Sequence, residues 1–330
     1  MSETTNPLVT IAVPTFRRPD YLRLTLECCV TQSYPNIEVI VSDDQSGDST
    51  PEVVASFQDS RIKYFVNAQK MDLAQHFNLC LSRARGKYLV LLCDDDLITP
   101  EYIGSLVRRF EARESATVGI GRCEIIDKTG AVTRRFPLLE QDYYPGPEFL
   151  IHWLWGKLPD PRPAWISMFM RTELARAAGG FPQTPVAAHA DNALFIALAL
   201  QGDVVFAKEG CFQYRVYMES YGLSVSYQVL AKASEMLVDY MKTNPVVAQQ
   251  MAGLSERQRQ LLCQGVARIA ARTYLYRLSA IYFPALKMRD FLIAVFSTYR
   301  FDSQYLRAFP RFILAFIKHR TEQLLKRGRR

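Results

Sequence analysis

Lys87-Tyr-Leu-Val-Leu-Leu-Cys-Asp94-Asp95-Asp96-Leu-Ile-Thr-Pro100 is the stretch that decides the fold. Its unbroken apolar run reads as a strand buried on both faces. The strand discharges directly into three consecutive carboxylates, and a proline and a helical pattern follow at once. Like charges side by side repel one another, so the fold gains nothing from them unless something positive sits there. A divalent cation with phosphate oxygens on its far side is the natural occupant. The plainer reading is a solvated acidic turn that caps the next helix, for which one Asp would suffice.

Working outward, Val9 to Pro14 reads as a short buried strand and Pro19 to Gln32 as the helix after it. Pro19 suits a helix start, and Leu22, Leu26, Cys29 and Val30 repeat at helical spacing. Ile37 to Val41 is a second apolar strand, ending in Ser42-Asp43-Asp44-Gln45-Ser46-Gly47-Asp48. Ile62 to Val66 is a candidate third strand and Leu73 to Arg83 a helix. Strands alternating with helices imply parallel pairing with right-handed crossovers. Functional residues of such sheets gather at the carboxyl ends of the strands. The acids Asp43 and Asp44 and the run Asp94 to Asp96 are therefore expected on one cleft.

Past Pro100 the pattern predicts a helix to about Arg113, a strand from Thr117 to Ile126 and a hairpin turn around Lys128-Thr-Gly130. Pro159-Asp-Pro161-Arg-Pro163 reads as a rigid loop. Ala164 to Arg171 resumes a strand, Thr172 to Ala178 a short helix stopped by Gly179-Gly180. Asp191 to Gln201 is apolar on most sides and reads as a buried helix. Beyond Ser226 the chain looks wholly helical. The expected division is a catalytic domain over 1–225 and a basic, aromatic-rich helical region over 226–330.

The chain has 330 residues and a net charge of +7, unevenly spread. Ala271 to Arg330 holds thirteen Lys and Arg against Asp290, Asp302 and Glu322, about +10 in all, which leaves the first 270 residues slightly acidic. Such asymmetry points to a basic tail with an anionic partner. No apolar run reaches the roughly 18 residues of a membrane-spanning helix, and the N-terminus lacks the basic and apolar regions of a signal peptide. Seven cysteines without zinc-type spacing read as buried free thiols in a reducing cytoplasm.

A dinucleotide fold would carry glycines in the first strand-to-helix turn, yet Pro14-Thr15-Phe16-Arg17-Arg18-Pro19 has none, and no Walker-type loop is present. A metal bridging aspartates and phosphates would hold a nucleoside diphosphate without such a loop. The landmarks Val13 to Pro19, Gln32 to Ser46, Asn78 to Tyr88, Leu92 to Pro100, Gly179-Gly-Phe181 and Ala190 to Leu194 occur in an order that resembles the family 2 glycosyltransferases. The resemblance covers roughly residues 8 to 220. It implies an α/β GT-A fold, a Rossmann-like and mostly parallel sheet flanked by helices, here with a C-terminal helical extension.

By that resemblance Pro14, Thr15, Phe16 and Arg18 line the donor's base pocket, and Asp44 with its neighbour Asp43 accepts a ring N–H of the base. Two aspartates after a strand are also ordinary turn chemistry. Asn78, Asp94 and Asp95 complete the implied donor site. Asp94 and Asp96 are the expected ligands of Mn²⁺ or Mg²⁺, since alternate strand residues point the same way, with Asp95 left open as a ligand. Asp191 is the expected general base of an inverting transfer, and it is also good N-capping chemistry. The chain departs from the family at Ala190, where Glu is frequent, and at Tyr214-Arg-Val-Tyr217, where many relatives end on a histidine near the metal; His189 is a nearby substitute.

The implied donor is UDP-, dTDP- or GDP-linked and the acceptor a saccharide, plausibly lipid-linked, in surface polysaccharide or glycan synthesis. The basic residues 271–330 suit helices lying on an anionic membrane surface, or else helices packed on the catalytic domain. The expected location is cytoplasmic and peripheral at the inner face of the membrane. No recognised nucleic-acid module is present and no nucleic acid is expected. The rival readings are a non-catalytic nucleotide-sugar-binding or scaffolding protein of the same fold, and a sugar nucleotidyltransferase. The latter needs a basic glycine-rich N-terminal loop, and the chain offers only Arg17 and Arg18.

Overall fold

The computed structural model describes residues 6–158, 166–217 and 227–282, with Arg289 and Leu292. Three apolar runs form the centre. These are β1 (Val9–Thr15), β2 (Ile37–Asp43) and β4 (Tyr88–Leu91), every residue of which is buried. β3 (Ile62–Val66) pairs with β2 at the edge, and the parallel order β3-β2-β1-β4 is built by crossovers through α1 (Pro19–Val30), α2 (Thr50–Ala55) and α3 (Leu73–Arg83). α3 starts at Asp72, whose side chain forms a reciprocal capping box with Gln75.

The second half extends the same sheet. β5 (Leu97–Ile98) and α4 (Tyr102–Glu111) lead into β6 (Ala116–Ile126) and its hairpin partner β7 (Val132–Arg135). β8 (Tyr143–Pro145), α5 (Gly146–Leu154), β9 (Phe169–Arg171), α6 (Thr172–Ala177), α7 (Ala190–Ala199) and β10 (Asp203–Arg215) follow. β9 lies antiparallel between β4 and β6, and β10 runs parallel to β6. The order is therefore β3-β2-β1-β4-β9-β6-β10-β5, with β1 to β4, β6 and β10 all pointing one way. Their carboxyl ends share one rim.

Several elements differ from the sequence expectation, two of them in the sheet. The Ala164–Arg171 strand is only Phe169–Arg171 within the described residues, and the proline-rich loop at 159–163 lies outside them. β10, the longest strand, interrupts what the pattern left unassigned after the α7 helix.

Beyond β10, α8 (Tyr227–Thr243), α9 (Pro245–Ala252) and α10 (Glu256–Tyr282) confirm a helical continuation as far as it is described. Leu237, Met241, Val247, Leu262, Val266 and Ile269 belong to the same buried cluster as Val90 of β4 and Phe195 of α7. Up to Leu275, then, these helices pack on the sheet-bearing part of the chain through apolar burial. The greater part of the basic segment 271–330 lies outside the described residues. Among the described residues no helix is long and apolar enough to cross a membrane. All seven cysteines are free, and Cys263 is exposed instead of buried as expected.

Candidate functional site

The rim is assembled by register. β1 lies between β2 and β4, with Thr15 opposite Asp43 and the Asp44 amide donating to the Thr15 carbonyl at 3.0 Å. Pro14 and Thr15 end β1, and the loop after them turns at Arg17, whose φ of +55° is the left-handed region. Arg17 is tied to the loop after β2, its amide donating to Ser46 Oγ at 2.9 Å and its Nε to the Ser46 carbonyl at 3.2 Å. The Phe16 ring sits between two cations, with Lys70 Nζ 4.0 Å and the Arg17 guanidinium 5.1 Å from its centroid.

Asp43 and Asp44 are buried and well satisfied. Asp43 Oδ1 accepts from the Ser46 amide at 2.9 Å and its hydroxyl at 2.6 Å, and Oδ2 accepts from the Tyr64 hydroxyl at 2.5 Å. That is the turn chemistry the sequence allowed for. Asp44 accepts from the Met71 amide at 3.1 Å and Asn67 Nδ2 at 3.3 Å. Behind Asp44, His76 Nε2 lies 2.9 Å from the Ser42 carbonyl and burial pushes its imidazole down.

The three aspartates after β4 diverge. The strand stops at Leu91, so the two-residue alternation that would aim Asp94 and Asp96 together does not reach them. Asp94 turns to the loop after β1: its Oδ2 accepts from the Thr15 hydroxyl at 2.8 Å and the Phe16 amide at 3.2 Å. Its Oδ1 takes Arg18 Nη1 at 3.2 Å, and the same nitrogen reaches Asp95 Oδ2 at 2.9 Å. Asp96 is only 1% exposed; its Oδ1 accepts from the Arg215 amide at 2.8 Å, while its Oδ2 is buried with no partner among the described residues.

Burial first, and Asp95 second, push the Asp94 carboxyl up to about 6 and Asp96 well above its ordinary value. Three crowded acids with one orphan oxygen are the chemistry of a site completed by something positive. Among the described residues no three ligand-type side chains are already gathered around a point. The donor set nonetheless suits a hard cation, because Asp96 Oδ2 and Asp95 Oδ1 accept no hydrogen bond within the described residues.

The sequence did not single out Arg215, yet it holds this turn in place. Besides the amide bond to Asp96, its Nε donates to the Asp95 carbonyl at 2.7 Å and its Nη1 to the Asp127 carbonyl at 2.9 Å. Tyr217 follows two residues later, and its hydroxyl donates to Asp95 Oδ2 at 2.9 Å. A ladder results: Arg18 over Tyr217 at 5.9 Å, Tyr217 beside Tyr21 at 5.4 Å, and Arg215 over Tyr21 at 5.0 Å. The Tyr-Arg-x-x signal was visible in the sequence, but its role needs β10, which pairs Arg215 with Ile126.

Asp191 is the second residue of α7, not its cap. The cap is His189, at φ +65°, which follows Val186 at +55° and Ala187 at +54°. Three non-glycine residues in the left-handed region concentrate backbone strain just before Asp191. His189 Nε2 lies 3.3 Å from Ser234 Oγ, which in turn donates to the Ala270 carbonyl at 3.3 Å, so α8 and α10 brace this segment. Asp191 Oδ1 accepts from both the amide and Nδ2 of Asn192 at 2.8 Å. Burial raises the Tyr214 phenol, and Asp96, Asp95 and Asp191 add to that rise, so both acidic groups act on one side chain.

Asn78, expected at the donor site, has other partners. Asn78 Nδ2 donates to the Phe181 carbonyl at 2.7 Å and its Oδ1 accepts from the Phe181 amide at 2.8 Å, so its amide joins α3 to the Gly179-Gly180 turn instead of facing the donor pocket. Both glycines of that turn have positive φ, +85° and +70°, which ends α6. Trp153 is buried against Phe195, and Trp155, whose indole donates to the Leu261 carbonyl at 3.1 Å, packs against the same core. Trp165 lies outside the described residues.

An α/β sheet of this order, flanked by helices, is that of GT-A glycosyltransferase structures. Residues 10–172 match the model of glycosyl transferase family 2, and this part of the chain is a domain of that family. The chain is 34% identical over 133 residues to GalNAc(5)-diNAcBac-PP-undecaprenol beta-1,3-glucosyltransferase of Campylobacter jejuni, covering 39% of this chain and 42% of that one. It thus spans less than half the length of that curated relative.

Among solved structures, S. aureus TarS 1-349 in complex with UDP-GlcNAc superposes with a TM-score of 0.58 at 14% identity, over 86% of this chain and 89% of that one. Mannosyltransferase PcManGT from Pyrobaculum calidifontis, in complex with GDP-Man and Mn²⁺, gives 0.53 at 17% identity, over 97% and 88%. At these identities the likeness is one of fold.

Proposed function

We propose that the protein is an inverting glycosyltransferase that moves a sugar from a nucleoside-diphosphate donor to a saccharide acceptor, in polysaccharide or glycan synthesis. The observation that carries this reading is the acidic turn Asp94-Asp95-Asp96 at the carboxyl end of β4, in which Asp94 and Asp96 are buried and Asp96 is incompletely satisfied. In this reading Phe16 offers an aromatic face to the base, and Asp44, with Asp43 behind it, accepts its ring N–H. Asp96, with Asp94 or Asp95, would hold Mn²⁺ or Mg²⁺, which supplies charge neutralisation to the departing diphosphate. Support for a cation comes from the oxygen-only donor set and from Mn²⁺ in the PcManGT complex.

Asp191 takes the proton of the acceptor hydroxyl as that oxygen attacks the anomeric carbon. The bond from that carbon to the β-phosphate oxygen breaks, the nucleoside diphosphate leaves with its electron pair, and attack from the far face inverts the centre. The Campylobacter relative's name specifies a lipid-diphosphate-linked acceptor. A similar acceptor, met at the cytoplasmic face of a membrane through residues 271–330, is the partner we favour.

The test is release of UDP, GDP or dTDP from a panel of nucleotide sugars, with Mn²⁺ and a saccharide or undecaprenyl-diphosphate-linked acceptor, and NMR of the new linkage. Turnover of one donor with inverted configuration, lost in Asp191→Asn, is the expected result. Binding of a nucleotide sugar without any turnover would favour the alternative of a non-catalytic protein, for which Tyr217 in place of histidine and Ala190 in place of Glu speak.

A further inference from the structure

We propose that Arg18 is a resident cation of the acidic turn, which holds Asp94 and Asp95 until a nucleoside diphosphate draws its guanidinium away. Arg18 would thereby couple the entry of the donor to that of the divalent cation. The inference rests on the donor-site reading above and goes beyond it, since it concerns what occupies the site before the donor arrives.

The geometry is a shared grip. One nitrogen, Nη1, reaches Asp95 Oδ2 at 2.9 Å and Asp94 Oδ1 at 3.2 Å. A guanidinium has five N–H donors, and the remaining donors of Arg18 have no partner among the described residues. The side chain is 31% exposed, whereas the two carboxylates it grips are buried at 7% and 14%. Its outer face is thus open to a ligand while its inner face is engaged.

The hold is also opposed from behind. Arg18 is the N-cap residue of α1, whose side chain makes no capping bond. A positive charge at a helix N-terminus meets the positive end of the macrodipole, so this guanidinium is placed by the carboxylates and not by its own helix. An incoming diphosphate reverses that balance, because it brings anionic oxygens to the same helix end and offers the guanidinium a bidentate partner.

A divalent cation and Arg18 compete for the same two carboxylates and repel each other across them. Removing the guanidinium to the diphosphate vacates Asp94 Oδ1 and leaves Asp95 Oδ2 to the Tyr217 hydroxyl alone, beside the already unpartnered Asp96 Oδ2. Metal and nucleotide therefore reinforce one another's binding, and by linkage the reinforcement is mutual. Tyr217 stays on Asp95 throughout, as the ladder's fixed rung.

The test titrates Mn²⁺ alone, in the absence of nucleotide, into the wild-type chain, Arg18→Ala and Arg18→Gln, with free Mn²⁺ read by electron paramagnetic resonance. Circular dichroism confirms that each variant is folded. Both variants are expected to bind Mn²⁺ on the order of 10-fold more tightly than the wild type, a usual size for such coupling. Repeating the titration with UDP, GDP and dTDP should show nucleotide strengthening Mn²⁺ binding in the wild type, and a smaller gain in the variants. Equal or weaker Mn²⁺ binding by both variants, or no binding by any of the three chains, would overturn the inference and leave the donor reading to its own assay. Tighter Mn²⁺ binding in the variants with no response of any chain to a nucleotide would uphold the resident cation but sink the donor reading and the coupling with it.

Discussion

The acidic ends of β2 and β4 flank the same central strand, yet the protein treats them in opposite ways. Asp43 has its oxygens filled by Ser46 and Tyr64, and Asp44 by Met71 and Asn67, so that end is finished by the fold itself. At the other end burial raises Asp94 to about 6 and also raises Asp96, and Asp96 Oδ2 has no partner among the described residues. Buried polar groups are normally paired, and each exception asks for a reason. A completed acidic end is a structural part that also offers an edge to a ligand. An uncompleted one is unfavourable in the free protein, and that is the mark of a group kept for binding.

The comparison breaks most readily at Asp96. Asp96→Asn is expected to lower turnover on the order of 10³-fold, the several kcal/mol that charge neutralisation at the leaving group supplies. Its melting temperature without metal should be unchanged or higher, because a frustrated carboxylate is gone. A variant that loses melting temperature and keeps turnover would place Asp96 with the structural acids. The mirror experiment is Asp43→Ala, which strands the Ser46 amide and the Tyr64 hydroxyl. It should cost about 2–4 kcal/mol in urea unfolding, with a far smaller loss of turnover in the folded fraction than Asp96→Asn shows.

Proton linkage sharpens the contrast. Asp94 is raised from an ordinary 3.8 to about 6, so its contribution to stability is fully present below about 3.8 and is lost as pH rises through about 6. In EDTA, the wild type should therefore gain melting temperature relative to Asp94→Asn as pH is lowered from 7.5 to 5. Mn²⁺ should stabilise more at 7.5 than at 5, since protons compete for the same oxygens. A difference independent of pH would contradict the raised value. The smallest effect is expected at Asn78→Ala, which removes the link to Phe181. A loss of about 1–2 kcal/mol of stability, with nucleotide affinity within about twofold of wild type, would keep Asn78 structural.

Much of the first half was legible because burial and period coincide there. β1 and β2 are apolar and wholly buried, and α3 runs from Leu73 to Arg83 as its spacing predicts, with Asp72 and Gln75 marking its start. β10 was not legible. Its two apolar runs are parted by Lys208-Glu209-Gly210, which the structure absorbs as an irregularity between Ala207 and Cys211, and its register comes from β6, far away in sequence. α5 was hidden for a similar reason, since Gly146-Pro147 reads as loop although a proline in the first turn starts helices well.

The site shows the same division. That Asp94 to Asp96 form an acidic turn at the end of a strand was readable, whereas which way each points was not, because alternation ends with the strand at Leu91. Arg215 and Tyr217 could be seen as a motif, but their contacts with the acidic turn exist only once β10 has paired. Asp191 was placed correctly at a helix start, although His189 takes the cap that sequence chemistry would have given to Asp191.

The most direct measurement is a thermal-shift panel of UDP, GDP, dTDP and CMP on the wild-type chain and on Asp96→Asn, each with Mn²⁺ and with EDTA. A ligand that binds only the folded state raises the melting temperature by mass action. Stabilisation of the wild type by one nucleoside diphosphate, dependent on Mn²⁺ and absent in Asp96→Asn, is the expected result. Stabilisation that is the same with EDTA, or the same in Asp96→Asn, would contradict the claim that the uncompleted acidic end is the cation-dependent donor site.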